Sequence, residues 1–213
     1  MRFVFVESSL ETVPKEVQHH PDVVRSAERK GKRPENIILD DSLHHRSMSS
    51  LEKRDKRGRP DIVHQCLLAL LDSDLRDFEI FVHTVDEKII WINRETRLPR
   101  NYNRFIGLME DLFDRGKIEA SGKLLLEVRD LPLLKILTTN TVVLHEGFGE
   151  ENLVSSINQD LAICIGAFPH GEFSKKIMKV FEKSNAKFAG FGNEPKTSLY
   201  ATYKTVCLLE RFG

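Results

Sequence analysis

Nowhere does this 213-residue chain run apolar for the roughly 20 residues needed to cross a bilayer; its longest uninterrupted stretches, such as CLLALL at 66–71, are core-sized. The opening MRFVFVESS alternates apolar residues but lacks an extended apolar region or a small-residue cleavage site, so it reads as a first strand and not a signal peptide. Only three cysteines occur, Cys66, Cys164 and Cys207, all in apolar runs and without CxxC spacing. That disfavours a disulfide framework or zinc site and fits buried, reduced thiols in a cytosolic protein. The eight histidines include the pairs His19-His20 and His44-His45, but none stands in a metal-ligand spacing such as HExxH. We read the pairs as surface residues and expect no metal. A net charge of zero excludes uniform attraction to polyanions.

What is present is an ordinary globular composition, 40% apolar and 30% charged, in a chain long enough for one domain or one domain with an insertion. Residues 2–6, 36–39, 78–85 and 88–92 read as strands, with Asp86-Glu87 turning a hairpin between the last two. Residues 62–73 read as a buried helix whose start is marked by Pro60 and Asp61. In the last third, short apolar strands at 141–146, 161–168 and 186–191 alternate with helical stretches at 150–158 and 171–183, and the chain closes on KTSLYATYKTVCLLERF. That alternation predicts an α/β fold with a largely parallel sheet. The polar segment 42–58 is the one long connector.

The zero net charge hides an uneven distribution. RSAERKGKR (25–33) and KRDKRGR (53–59) carry five basic residues each, and INRETRLPRNYNRFIG (92–107) carries Arg94, Arg97, Arg100 and Arg104. Residues three and four apart share a helix face, but Pro99 breaks a continuous helix, so the segment reads as a bent loop entering a helix near Tyr102 that stops at Gly116. The three segments either converge on one patch for a polyanion or are separate solvated loops; charge alone does not decide.

Three glycine patterns follow predicted strands. GFGEEN (147–152) lacks the third glycine of a dinucleotide fingerprint, GAFPHG (166–171) is followed by Glu172 and Phe173 where a phosphate loop needs Lys and Ser or Thr, and GFGNEP (190–195) is chemically similar. Singly, each is an ordinary turn. Together they describe an apolar-walled pocket for an adenosine-type cofactor without phosphates, held by backbone groups, with Asp160 and His170 as the nearest ionisable residues. In RGRPDIVHQCLLALLDS (57–73), Arg59 and Asp61 flank a proline of fixed φ. Either Asp61 orients the guanidinium for an anionic or carbonyl-rich partner, or it is a helix cap beside an exposed arginine.

RPDIVHQCLLALLDS, followed by RLPRNYNRFIGLM, together with LDDSLHH near 39–45, IGAFPHG at 165–171 and GFGNEPKTS at 190–198, resembles the nucleolar essential protein family. These are SPOUT-class ribosome-biogenesis methyltransferases that act on N1 of a pseudouridine in small-subunit ribosomal RNA. The resemblance spans nearly the whole chain. It implies a single SPOUT-type α/β domain over 1–213, with a family-specific extension at about 42–130, a cofactor-binding region at about 136–213 threaded as a trefoil knot, and a homodimer. It implies S-adenosylmethionine as cofactor, a small-subunit rRNA hairpin loop as partner, ribosomal proteins or other assembly factors as further partners, no membrane, and a cytoplasmic location, nucleolar in a eukaryote.

By the same resemblance Arg59, Arg97, Arg100 and Arg104 contact RNA, Asp61 holds Arg59, and both act in catalysis. Gly166, Gly171 and the stretch Ala189, Gly190, Phe191, Gly192, Asn193 hold the cofactor. Arg94 matches no motif position. Gly192 and Glu194 stand where some relatives have Ser and Tyr, and the chain lacks the extensions of eukaryotic members, so it looks like a compact archaeal form. An aspartate paired with arginine is a poor base, which favours an orienting role for Asp61. Two alternatives stay open. One is a non-catalytic rRNA assembly factor, which would not need the glycine loops; the other is ribose 2′-O methylation, whose Asn-x-Gly-x-x-x-Arg motif is missing.

Overall fold

The computed structural model describes residues 1–158 and 160–212; Gln159, and Gly213 at the end of the expected cofactor-binding region, lie outside them. The strands are β1 (Arg2–Ser8), β2 (Glu79–Thr84), β3 (Ile89–Ile92), β4 (Lys117–Ala120), β5 (Lys123–Arg129), β6 (Asn140–Leu144), β7 (Leu161–Gly166) and β8 (Lys187–Ala189). The helices are α1 (Pro21–Lys30), α2 (Asp41–His44), α3 (Pro60–Leu71), α4 (Tyr102–Arg115), α5 (Glu151–Val154), α6 (Lys175–Lys183) and α7 (Ser198–Phe212). All eight strands form one sheet in the order β4-β5-β3-β2-β1-β7-β6-β8. Pairings on the β2-β1-β7-β6-β8 side are parallel, and the β2-β3-β5-β4 arm is antiparallel.

Alternation along β1 builds the two faces. Phe3 and Phe5 join the core that includes α3, α4 and α7, whereas Val4 and Val6 pack opposite, with Phe173, Ile177 and Phe181 around α6. With both faces covered, the parallel strands are buried runs, which is why they read so clearly in the sequence. Their shared direction brings residues 7–11, 144–149, 166–173 and 189–193 to the same end of the sheet.

Several expectations need correction. Residues 36–39 form no ladder strand. Both edges of β1 are taken by β2 and β7, so Ile37, Ile38 and Leu39 pack as buried loop after a 3₁₀ turn and pair with residues 11–13 through Val13 N–H to Ile37 O and Leu39 N–H to Glu11 O. The expected helix at 150–158 is the single turn α5, and α6 begins later than expected, after Ser174 caps it by accepting from Ile177 N–H at 3.3 Å. The connector 42–58 is not structureless, since it contains much of α2 and 3₁₀ turns at Ser47–Ser50 and Arg54–Lys56. The β4-β5 hairpin is an addition to the strands expected from the sequence; its Ser121-Gly122 turn has positive φ at both residues, and the Ser-Gly pair is its local sequence signal. His44 is fully buried rather than superficial, and Cys207 is exposed. Burial pushes the Cys66 thiol up to about 12 and raises Cys164 likewise, so both are inert thiols. Among the described residues no helix is long and apolar enough to cross a membrane, and no group of three or more His, Cys, Asp and Glu is placed to hold a metal ion.

Candidate functional site

A cavity of about 690 Å³ opens at the carboxyl ends of the parallel strands. Its walls come from three loops, after β6 (Leu144, His145, Glu146), after β7 (Gly166, Phe168–Phe173) and after β8 (Gly190–Gly192), together with the first turns of α7 and α3. Of the expected cofactor residues, Gly166, Gly171, Gly190, Phe191 and Gly192 line it. Ala189 is buried behind the wall, accepting from His145 N–H at 2.8 Å, and the exposed Asn193 does not line the cavity. His170 lines it, but Asp160 lies at the opposite end of the sheet beside Arg2 and Glu79.

The glycines have specific causes. A Cβ on Gly190 would lie 2.0 Å from the carbonyl oxygen of His145, so only glycine lets the β8 loop reach the β6 loop. The two loops are then zipped together, Gly190 N–H donating to Gly149 O at 2.8 Å and Gly192 N–H to Phe148 O at 3.1 Å. Part of the backbone expected to face a ligand is therefore already engaged, as is the Gly166 carbonyl, which accepts from Ser198 Oγ at 2.6 Å.

His145, which the sequence reading missed, sits between loops. Its Nδ1 lies 2.8 Å from Glu146 O and its Nε2 2.8 Å from Glu172 Oε2. The ring thus bridges the loops after β6 and β7. Asp61, Glu146, Glu172 and Glu194 line the cavity against Arg59 and Lys196. This excess of carboxylates repels phosphate and suits a ligand carrying positive charge.

At the same cavity Arg59 and Asp61 do meet. Arg59 Nε donates to Oδ1 at 2.8 Å and Nη2 to Oδ2 at 2.7 Å, a bidentate pair that strengthens the guanidinium's hold on its proton. Asp61 is thus no helix cap; Arg59 itself is the N-cap residue, its N–H bound to Ser9 Oγ at 2.7 Å. Gly58, at φ +71° and where a Cβ would lie 2.5 Å from Met48 Cε, turns the chain into this position while its carbonyl accepts from Asp41 N–H at 2.8 Å.

The other arginines divide. Arg94 closes the end of α3, donating to Leu71 O at 2.7 Å and Ser73 O at 2.6 Å, and is structural. Arg100 is exposed and pairs with Asp72 at 2.8 Å, while Arg97 and Arg104 are exposed with no ion-pair partner among the described residues. The bend at Pro99 is fixed by buried His64, whose Nε2 donates to Pro99 O at 2.8 Å and whose ring stacks on Phe105 at 4.2 Å. Asn101 then caps α4 by accepting from Arg104 N–H at 3.1 Å, and Tyr102 Oη donates to Asp40 Oδ2 at 2.5 Å. Arg59 and the Arg100-Asp72 pair stand at opposite ends of α3, about 20 Å apart by helix rise, with the bent loop between.

Apart from Arg59, several cations of the other two basic segments are neutralised within the fold. Lys30 and Lys32 pair with Glu110, Arg25 with Asp22, and Arg33 with Glu35. In 53–59, Lys56 and Arg57 are bound to Glu7 and Glu11. Charge along the sequence could not distinguish these neutralised cations from the open ones.

A model of the family described as EMG1/NEP1 methyltransferase matches residues 3–205. The ribosomal RNA small subunit methyltransferase Nep1 of Archaeoglobus fulgidus is 53% identical over 210 residues, covering 98% of this chain and 95% of the relative. The protein of the same description from Saccharolobus solfataricus is 43% identical over 187 residues, 86% of each chain. The crystal structure of Archaeoglobus fulgidus Nep1 bound to S-adenosylhomocysteine superposes with a TM-score of 0.94 at 51% identity, covering 99% of this chain and 97% of that one.

Proposed function

This chain belongs to the EMG1/NEP1 methyltransferase family, and on that premise we propose that it transfers the methyl group of S-adenosylmethionine to N1 of a pseudouridine in a small-subunit rRNA hairpin loop during ribosome biogenesis. The observation that carries this reading is the single cavity in which acidic, phosphate-excluding strand-end loops meet an arginine held by an aspartate. The residues fit the cofactor. Gly166, Gly171, Gly190, Phe191 and Gly192 form the loops that would hold it, and the cavity's surplus of carboxylates complements a ligand bearing a sulfonium and an ammonium. When bound, S-adenosylmethionine supplies an electrophilic methyl group.

The chain's own residues do the rest. Arg97, Arg100 and Arg104 hold phosphates of a hairpin loop along α3, which positions the RNA without reading its sequence. Arg59 has Nε and Nη2 directed to Asp61, so Nη1 remains for a uracil oxygen of a base turned into the cavity. As the N1 proton passes to solvent water, negative charge builds on that oxygen, and the fixed guanidinium stabilises it. Asp61, with both oxygens engaged, orients Arg59.

The extension at about 42–130 serves the RNA and the region at about 136–213 the cofactor, threaded as the trefoil knot of the SPOUT class. A homodimer fits the exposed Tyr200, Tyr203 and Cys207, which lie at i, i+3 and i+7 on α7. Sedimentation of a Tyr203→Glu chain as dimer would remove that assignment. The protein acts in the cytoplasm.

The test is methyl transfer from labelled S-adenosylmethionine to a short rRNA hairpin containing one pseudouridine, beside the same hairpin with uridine. Label on the pseudouridine RNA alone is expected. Equal label on both would move the acceptor to ribose or another base atom, and tight binding without label would leave an assembly factor.

A further inference from the structure

Beneath the loop that follows β7 lies an ion pair the proposed chemistry does not use. Lys56 Nζ donates to Glu7 Oε2 at 2.7 Å, with side chains only 10% and 6% exposed. The ammonium also donates to the carbonyl of Glu172 and lies 4.2 Å from the centre of the Phe168 ring. The same Oε2 of Glu7 accepts from Ser174 N–H at 2.9 Å. One buried pair therefore grips the cavity loop at Phe168, Glu172 and Ser174, although neither Lys56 nor Glu7 lines the cavity.

Glu7 reaches this place by an unusual backbone. It sits where the register between β1 and β2 shifts, at φ +50°, a left-handed conformation that disfavours any side chain. Its N–H is held by His83 Nδ1 at 3.2 Å. Burial opposes the charge of Glu7, and the bonds from Lys56 and Ser174 outweigh it, holding the carboxyl below its ordinary value of 4.5. A non-glycine residue kept in strained geometry to aim a buried charge is the arrangement expected of a functional position. Stability alone does not account for it, because buried ion pairs replaced by apolar groups are often neutral or better.

Lys56 also stands three residues before Arg59, and the whole KRGR segment is pinned to the end of β1. Arg57 makes a bidentate pair with Glu11 at 2.7 and 2.6 Å, and Arg59 N–H is bound to Ser9 Oγ. Glu7, Ser9 and Glu11 thus set the register between the segment carrying Arg59 and the loop at 168–174.

We infer that Lys56 and Glu7 are positioning residues for methyl-donor binding, holding the 168–174 loop in its receptive shape and tying it to the segment that carries Arg59. The inference rests on the cofactor assignment above. Lys56→Met raises KM for S-adenosylmethionine by about 10- to 100-fold, the equivalent of one charge-assisted bond. Turnover at saturating donor, and hairpin affinity without donor, stay within about threefold of wild type, because the Arg57-Glu11 pair and the bond from Arg59 N–H to Ser9 Oγ still hold the Arg59 segment when Lys56 is lost.

The double variant Lys56→Met/Glu7→Gln, with both charges of the pair removed, regains thermal stability and keeps the raised KM. Glu7→Gln alone retains an acceptor for Ser174, and its folded chain shows a smaller rise in KM. An unchanged KM in folded Glu7→Gln and the double variant, or a KM restored together with stability in the double variant, overturns the inference. Failure of the wild-type chain to bind S-adenosylhomocysteine would instead overturn the cofactor assignment.

Discussion

Gly190 allows a quantitative test of how the cavity is built. In Gly190→Ala the new Cβ would lie 2.0 Å from His145 O and 2.9 Å from Phe148 O, against 3.4 Å or more for ordinary contact, so the loops must part by about 1.4 Å. Neither obstacle is a side chain that can swing away. Both belong to backbone already fixed by His145 N–H to Ala189 O and Gly190 N–H to Gly149 O, each at 2.8 Å. Overpacking of this kind costs about 1–3 kcal/mol, which for a chain of this size lowers Tm by roughly 2–12 °C. The larger effect is on binding, since a misplacement of about 1 Å in a preorganised site is worth on the order of 100-fold. Calorimetric titration with S-adenosylhomocysteine, beside thermal unfolding, measures both. Gly122→Ala is the control: Gly122 has φ +74° with open surroundings, in the β4-β5 turn at the far edge of the sheet, so it loses about 1–2 kcal/mol of stability and no affinity. Gly190→Ala binding within threefold of wild type would refute the steric argument.

Arg94 and Arg97 differ by three positions and separate by assay. Arg94→Ala unties the end of α3 and costs about 1.5–3 kcal/mol, a Tm loss of roughly 3–12 °C, with the salt dependence of hairpin binding unchanged. Arg97→Ala leaves Tm in place and lowers the slope of log affinity against log salt by about 0.7, and an unchanged slope would exclude phosphate contact. The buried histidines His44, His64 and His83 are each held below the ordinary value of 6.5, burial being the first cause. The unfolded chain therefore takes up protons first, so their contribution is whole above pH 6.5 and falls as pH drops below it. Tm therefore falls from about pH 7 to about pH 5.5, and a Tm flat over that range would count against neutral burial.

The parts legible in the sequence were those decided locally or by face periodicity. β1, α3 and the parallel strands are continuous or alternating apolar runs bounded by turn residues, and the helix start at Arg59-Pro60-Asp61 follows from a fixed φ and a two-residue separation that lets the pair meet. The strand-end glycine loops followed too, because parallel strands deliver their carboxyl ends to one side. The tertiary structure decided which charges are available. Nothing local distinguishes Lys56 and Arg57, neutralised by acids 49 and 46 residues away, from Arg97, which has no ion-pair partner among the described residues. Nor could periodicity place His145 beside Glu172, or show that residues 36–39 find no sheet edge because β2 and β7 already occupy β1. Pattern along a chain reports burial, whereas pairing depends on which distant groups meet, and only the folded arrangement determines that.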